Sequence, residues 1–568
     1  MASNAATTAA VAGRRAGFSS ESVVTWGSLA TIALFLLITI VLPLYALLSK
    51  SFEDRTGAFI GLANYIDYFS NPALFQSIGN SFFIAIVSTA ITTTLAFLFA
   101  YGLSRTCIPG KGLFRAIAAI PILAPSLLPG IALVYLFGNQ GMLKSWMMGE
   151  SIYGPIGIII GMVFFTLPHA VMILYTALSL ADARLYEAAQ VLGAGRLKTF
   201  FTVTLPGARY GLISTVLVVF TLVITDFGVP KVIGGRFNVL ATDVYKQVVG
   251  QQNFEMGAVV GMILLLPSAI AFVVDRLIQR RQITAFSSRA VPYTPKRSRG
   301  PDTAYLLICL AISAFLIGIL GVAAYASFVQ YWPYNLSLTL DHYNFTLVDP
   351  EGWSAYFNSL KMATLTAVIG GTVVFTGAYM VEKGRGWGWL RGLVQLMAMV
   401  PLAVPGLVLG IAYIFFFNHP ANPLNGLIGT MAILVLCTIV HFYTVSHLTA
   451  VTALKQIDPE FESVSASLKV PFYKTFWRVT VPVCLPTILD IALYLFVNAM
   501  TTVSAVVFLY SASTKLAAVS VLAMDDAGST AGAAAMAMMI VYTSACARGL
   551  HAVASRMLER QTHAWRKR

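Results

Sequence analysis

Twelve apolar stretches of about 20 residues or more dominate this chain and leave few folds open to it. A helix of that length crosses the hydrocarbon core of a bilayer and satisfies its own backbone polar groups there. The stretches fall near residues 25–49, 80–103, 114–137, 153–178, 207–233 and 256–279, and again near 303–328, 359–382, 390–417, 424–453, 484–510 and 529–553. Of the 568 residues 58% are hydrophobic and 11% charged, and mean hydropathy is +0.78, more apolar surface than a soluble core of this size would hold. The expected fold class is an all-α polytopic membrane protein with about twelve transmembrane helices.

Lys and Arg mark the side of the membrane that retains positive charge, the cytosol. Arg105, Lys111, Arg115, Arg184, Arg196, Lys198, Arg280, Arg281, Lys383, Arg385, Arg391, Lys474, Arg478 and both chain ends share one side; Glu53, Asp54, Asp349, Glu351, Asp525 and Asp526 fall on the other. Both termini are thus expected in the cytosol, with the first apolar run kept as an anchor rather than removed as a signal peptide. The net charge of +14 is scattered over short loops rather than gathered on one folded face, which fits anionic inner-leaflet lipid and not nucleic acid. Cys107, Cys309, Cys437, Cys484 and Cys546 are odd in number and lack metal-ligand spacing, so neither disulfides nor zinc is implied.

An offset of about 280 residues brings the two sets of six into register. Asn80-Ser81 aligns with Asn358-Ser359 and Ala100-Tyr101 with Ala378-Tyr379. The stretch Pro121, Pro125, Gly130, Ile131, Ala132 aligns with Pro401, Pro405, Gly410, Ile411, Ala412. Proline is costly inside helices, so its recurrence at one spacing argues for duplication. These prolines either kink a packed helix or touch what passes through; in both cases the third span of each half is broken and lines the interior. Six spans per half return the chain to the side it left, which makes the halves parallel repeats. The expected division is a cytosolic tail over 1–24, a first transmembrane domain over 25–280, a basic linker over 281–301, a second domain over 302–556 and a basic tail over 557–568.

Between the fourth and fifth spans each half carries a cytosolic stretch that opens on Asp and closes on Pro. Asp182 and Asp458 suit N-caps, Pro459 the first helical position, and Glu460 and Glu462 the positive end of a helix. Gly193-Ala194-Gly195 offers a helix stop, and Pro206 and Pro482 suit the first turn of the next span. In the first half Glu187, Ala188, Ala189, Gly193, Val203, Leu205 and Pro206 match a Glu-Ala-Ala motif with Gly six positions after the Glu and an apolar-x-apolar-Pro end. This pattern resembles the cytosolic loop signature of binding-protein-dependent ABC importer permeases. The second copy departs: Ser463 stands at the Glu187 position with Glu462 one residue earlier, Val464 and Ser465 replace the alanines, and Lys469 replaces Gly193.

The resemblance implies that each such helix docks in a groove of a cytosolic ATPase and passes its closure to the spans. Glu187, Ala188, Ala189, Gly193, Pro206, Glu462, Ser463, Lys469 and Pro482 are then the coupling residues. No Gly-x-x-x-x-Gly-Lys-Ser/Thr phosphate cradle occurs, so ATP and Mg are expected on two copies of a separate ATPase subunit, with no cofactor bound by this chain and no enzymatic activity of its own. The loops near 50–79 and 329–358 are short for a ligand-binding domain, which calls for a separate periplasmic or extracellular capture protein. The implied location is the bacterial inner membrane. The double-length form resembles permeases for ferric iron and for 2-aminoethylphosphonate, and Thr501–Ala517 with Met524–Gly528 is most similar to the aminoethylphosphonate group. A twelve-span secondary transporter is the rival, but it gives no reason for two matching loops.

Ionisable groups within spans are candidates for the pathway. Asp226 and Lys231 flank a Gly- and Pro-bearing turn: Asp226 would contact a cationic amine, pair with Lys231 or serve a gate. Pro125, Gly130, Pro405 and Gly410 are the further pathway candidates. Asp490, His169, His441 and His447 fit satisfied packing groups better than ligands, and no cluster has metal-ligand spacing.

Overall fold

A computed structural model describes residues 20–285, 291, 293–384 and 387–562; Arg14, Arg15, Arg385 and the terminal Arg566-Lys567-Arg568 lie outside them. Eight helices are long and apolar enough to cross a membrane: Val23–Lys50, Pro72–Arg105, Pro155–Ser179, Arg196–Thr225, Phe254–Gln279, Arg299–Ala326, Trp353–Lys383 and Thr530–Leu558. Four bent pairs complete twelve spans in the expected order. The third spans of the two halves, Lys111–Leu123 with Leu127–Phe137 and Gly388–Ala403 with Gly406–Phe417, turn by 100° and 115°. The tenth, Met431–His441 with Tyr443–Lys455, turns by 55°, and the eleventh, Phe472–Val483 with Leu485–Thr501, by 75°. Among the described residues, strand is confined to a small hairpin, Val329–Tyr331 with Asn335–Leu338, in the loop after the seventh span.

Proline accounts for the sharpest breaks. Pro121 and Pro401 start a tight 3-10 turn, and Pro125 and Pro405 follow in the break, where a ring cannot sit in a continuing helix without clashing with the preceding turn. The eleventh span bends while its counterpart does not because it carries Pro486 where the first half has Tyr210. Both halves place a π-helical turn just before the shared proline, Phe200–Thr204 before Pro206 and Phe476–Thr480 before Pro482.

The halves interlock. The first span packs on the eighth and ninth, and the seventh on the second and third, so each opening helix lies against the other half. Leu127–Phe137 also meets the twelfth span, and Gly406–Phe417 the sixth. These two inner segments form the buried seam, with the aligned Ile131 and Ile411 and the ring of Tyr413 fully enclosed.

The repeated Asn-Ser pair has a structural role. Ser81 Oγ accepts the Leu240 N–H at 2.8 Å while Asn80 Nδ2 donates to the Asn238 carbonyl at 2.9 Å. Ser359 Oγ accepts the Ala517 N–H at 2.7 Å and Asn358 Nδ2 donates to Ser513 and Lys515 carbonyls. In each half the pair fastens the second span to the start of a short helix, Leu240–Tyr245 or Ala517–Asp526, satisfying donors left open at a helix N-terminus.

Several boundaries differ from expectation; the eleventh span, for one, runs Phe472–Thr501 rather than near 484–510. The fifth span stops at Thr225, not near 233, because Asp226 is extended and a separate helix, Gly228–Ile233, follows. The linker is shorter than 281–301, since one helix runs to Ala285 and the next begins at Arg299; residues 286–290 and 292 lie outside the described part.

Candidate functional site

Between the fourth and fifth spans the chain forms the helix Ala183–Val191. Asp182 is its N-cap and accepts the Arg184 N–H at 3.1 Å. The helix closes on Gly193 in the left-handed region at φ +70°, with Gly193 and Ala194 N–H groups returning to the Gln190 and Ala189 carbonyls. Ala189 faces inward, while Glu187 and Ala188 are exposed, as is Pro206. Val191 and Leu192, between the spans, are 87% and 83% exposed, and Leu197, in the first turn of the fifth span, is 75% exposed.

The second half repeats the device with other residues. Asp458 caps the helix Glu460–Ser467 through the Glu460 N–H at 3.0 Å, and Lys469 adopts φ +53° where the first half has Gly193. Ser463 and Pro482 are exposed, as are Phe461, Val464 and Leu468. A cavity of about 790 Å³ opens beneath this helix, with Phe461, Val464 and Leu468 as its apolar wall and Lys474 and Arg478 among its basic lining.

Glu462, one of the residues expected to couple, pairs with Lys383 at the end of the eighth span at 2.9 Å and is 20% exposed. In register it takes the place of Tyr186, which faces Arg105 at the end of the second span. Arg105 Nη2 donates to the Leu178 carbonyl at 2.6 Å and Lys383 Nζ to the Ile457 carbonyl at 3.3 Å. A cation at the end of the second span thus pins the end of the fourth span to the capped helix that follows it in both halves, favourably placed against helix C-terminal carbonyls.

The pathway candidates resolve differently. Asp226 and Lys231 do not pair with each other: Asp226 Oδ2 accepts the Val229 N–H at 3.0 Å, capping Gly228–Ile233, while Lys231 pairs across the seam with Asp526 at 2.9 Å and lies 5.3 Å from the centre of the Tyr245 ring. Pro125, Gly130, Pro405 and Gly410 are all buried. A Cβ on Gly130 would meet Val232 at 2.9 Å, and one on Gly410 the Ala505 carbonyl oxygen at 2.9 Å. The broken third span is therefore the seat on which the segment after the fifth span rests, with both glycines at the contact. His447 bonds to Gln395 at 2.9 Å and Asp490 pairs with His551 at 3.0 Å; His441 stacks edge-on against Phe442.

A family model described as binding-protein-dependent transport system inner membrane component matches residues 93–284 and 374–560. The chain belongs to this family. It carries the permease domain twice, each match covering one of the two capped helices described above. The ferric transport system permease protein FbpB of Actinobacillus pleuropneumoniae is 27% identical over 87% of this chain and 73% of its own length. The spermidine/putrescine permease PotB of Haemophilus influenzae is 28% identical over 44% of this chain and 92% of its own length, the sulfate permease CysW of Synechocystis 26% over 44% and 92%. Relatives so named are membrane transport subunits rather than enzymes, and membership implies a multi-pass inner membrane protein that works with ATPase and substrate-binding partners.

In this permease the residues that sequence reading passed over are Arg105, Lys383 and Asp526. Arg105 and Lys383 read as ordinary positive-inside charges; the signal that singles them out is that both fall at the end of the second span of their half. Asp526 falls opposite the apolar pair Val248-Val249 of the first half, so alignment of the halves does not reveal it.

Proposed function

We propose that this permease forms the translocation path of an importer for 2-aminoethylphosphonate or a related phosphonate, with both termini in the cytosol. A loaded capture protein docks outside. Two ATPase subunits bind ATP and Mg and close, and their closure draws the helices Ala183–Val191 and Glu460–Ser467 together. The spans then open outward and take the solute. The ATPases supply the free-energy difference between states, and the permease supplies linkage and path. Glu187, Ala188, Gly193, Ser463 and Lys469 meet the ATPases, and Lys231 with Asp526 closes the outer end of the seam. Support for the coupling reading comes above all from one observation: both halves build a capped helix with exposed apolar residues at the same point between their fourth and fifth spans.

For the solute, the resemblance of Thr501–Ala517 and Met524–Gly528 favours a phosphonate. A second reading, ferric iron, is favoured by the name of the FbpB relative. Proteoliposomes holding the permease, its ATPase subunits and its capture protein separate the two. ATP-dependent accumulation of 2-aminoethylphosphonate and not ferric iron is expected, unchanged when the proton gradient is collapsed. Accumulation of ferric iron instead would decide for the second reading; uphill transport by the permease alone would overturn both.

A further inference from the structure

We propose that Val291 and residues 293–298, ahead of the seventh span, act as a third coupling element, a strap that ties the helix Ala183–Val191 to the start of that span. Its contacts follow the helix from end to end. At the N-terminus Ala183 N–H donates to the Val291 carbonyl at 2.9 Å, and Val291 N–H to Asp182 Oδ1 at 3.3 Å. In the middle Tyr293 lies against Tyr186, ring centres 4.5 Å apart, with the Arg105 guanidinium 4.9 and 4.7 Å from the centres of the Tyr186 and Tyr293 rings. Beyond the helix Arg196 Nη2 donates to Ser298 Oγ at 2.8 Å. The far end is anchored as firmly: Asp302, in the first turn of the seventh span, accepts the Ser298 and Cys107 N–H groups, each at 2.9 Å.

A tether of this kind changes where force goes. A pull on Ala183–Val191 reaches its own half through Arg105 and the chain into the fifth span. Through the strap it also reaches the seventh span, which belongs to the second half in sequence but packs on the second and third spans in space. The helix Glu460–Ser467 has the ion pair to Lys383 in place of the ring sandwich, and a linker occurs once per chain, so the two helices are not mechanically alike. The strap thus makes the first helix and the seventh span one moving body, with Tyr293 as a positioning residue.

This inference rests on the reading that ATPase closure moves the two helices, and one experiment separates them. The permease with its ATPase subunits, in nanodiscs and with Cys107 and Cys546 changed to serine, is spin-labelled at Arg184→Cys with Thr303→Cys, or at Arg184→Cys with Glu460→Cys. Distances are measured without nucleotide and with ATP, Mg and vanadate. The 184–460 distance is expected to shorten while 184–303 stays narrow and fixed. Tyr293→Ala broadens the 184–303 distribution and makes it respond to nucleotide; Tyr293→Phe, which keeps the ring stack, restores the wild-type result. The surface variant Lys296→Ala/Ser298→Ala, which removes the Lys296 Nζ bond to Gln190 Oε1 at 3.4 Å along with the Ser298 bond, gives a smaller broadening, and serves if Tyr293→Ala yields no folded complex. A 184–303 distance that moves with nucleotide in the unaltered strap, or one that stays narrow in these variants, overturns the strap. A 184–460 distance that ignores nucleotide overturns the underlying reading instead.

Discussion

At Gly193 and Lys469 one backbone conformation is met by two residues of very different tolerance. Both are left-handed, but glycine occupies that region freely whereas a side chain costs about 1 kcal/mol there. Lys469→Gly is therefore expected to raise stability by about that amount, read from unfolding in detergent. Gly193→Arg should cost about as much and also weaken ATPase recovery, because nothing beyond its own chain neighbours lies within 4 Å of the new Cβ and the side chain has only the outer face to enter. Wild-type recovery would remove Gly193 from the docking surface. A second residue-scale case is the external cluster in which Lys515 reaches Asp349 at 2.9 Å and Glu351 at 3.1 Å, with Ser520 also bonded to Asp349. Burial alone would raise the Asp349 carboxyl, but hydrogen bonding with Glu351, Lys515 and Ser520 outweighs it and holds the group at about 2. A depressed carboxyl contributes stability that is complete above about pH 4 and lost as pH falls through about 2. Lys515→Ala leaves a buried charge unpaired, at a cost of about 3–5 kcal/mol at neutral pH. In that variant the sign reverses: acidification should stabilise, because protonation removes the stranded charge, and melting curves at several pH values check it.

Elements are legible in the sequence to the degree that a local chemical cause fixes them. The duplicated Pro-x-x-x-Pro and the glycine five residues on mark the broken third span, where two prolines fall within about one turn, whereas the single prolines Pro168 and Pro267 leave their helices continuous. What the glycines touch is not legible, because it depends on the segment after the fifth span folding back about 100 residues later in the chain. The end of that span is obscured for a related reason: apolar residues continue past Thr225, and only the capping bond from Asp226 to Val229 shows that a new helix starts. Glu462 escapes a motif matched by residue type, because its partner, Lys383, is remote in sequence. Gly410→Ala tests the packing role at this scale. Its methyl would press on the Ala505 carbonyl, an overpacking cost of about 1–3 kcal/mol, so thermal stability should fall while solute selectivity is kept. A changed selectivity at unaltered stability would return Gly410 to the pathway.

On the scale of the molecule, parallel duplication is readable from the offset of the halves, but their interlocking is not, since nothing in a helix's composition says which half it will lie against. Interlocking means that the end of the seam where Lys231 meets Asp526 opens only if contacts between halves are exchanged, and that pair is such a contact. Its side chains are 22% and 49% exposed, which places it with surface pairs worth about 1 kcal/mol or less. An energy of that size biases a two-state equilibrium by about fivefold at most, enough to keep an idle transporter closed to the outside and small enough for ATP-driven closure to overcome. Lys231→Ala should therefore raise ATP hydrolysis in the absence of capture protein by up to about fivefold, and Asp526→Ala should do the same. The double variant should add little to either, because each single change already removes the shared contact. Charge exchange, Lys231→Asp with Asp526→Lys, should bring the rate back toward wild type; additive effects in the double variant would mean that the two residues act separately and that the pair is not the closure.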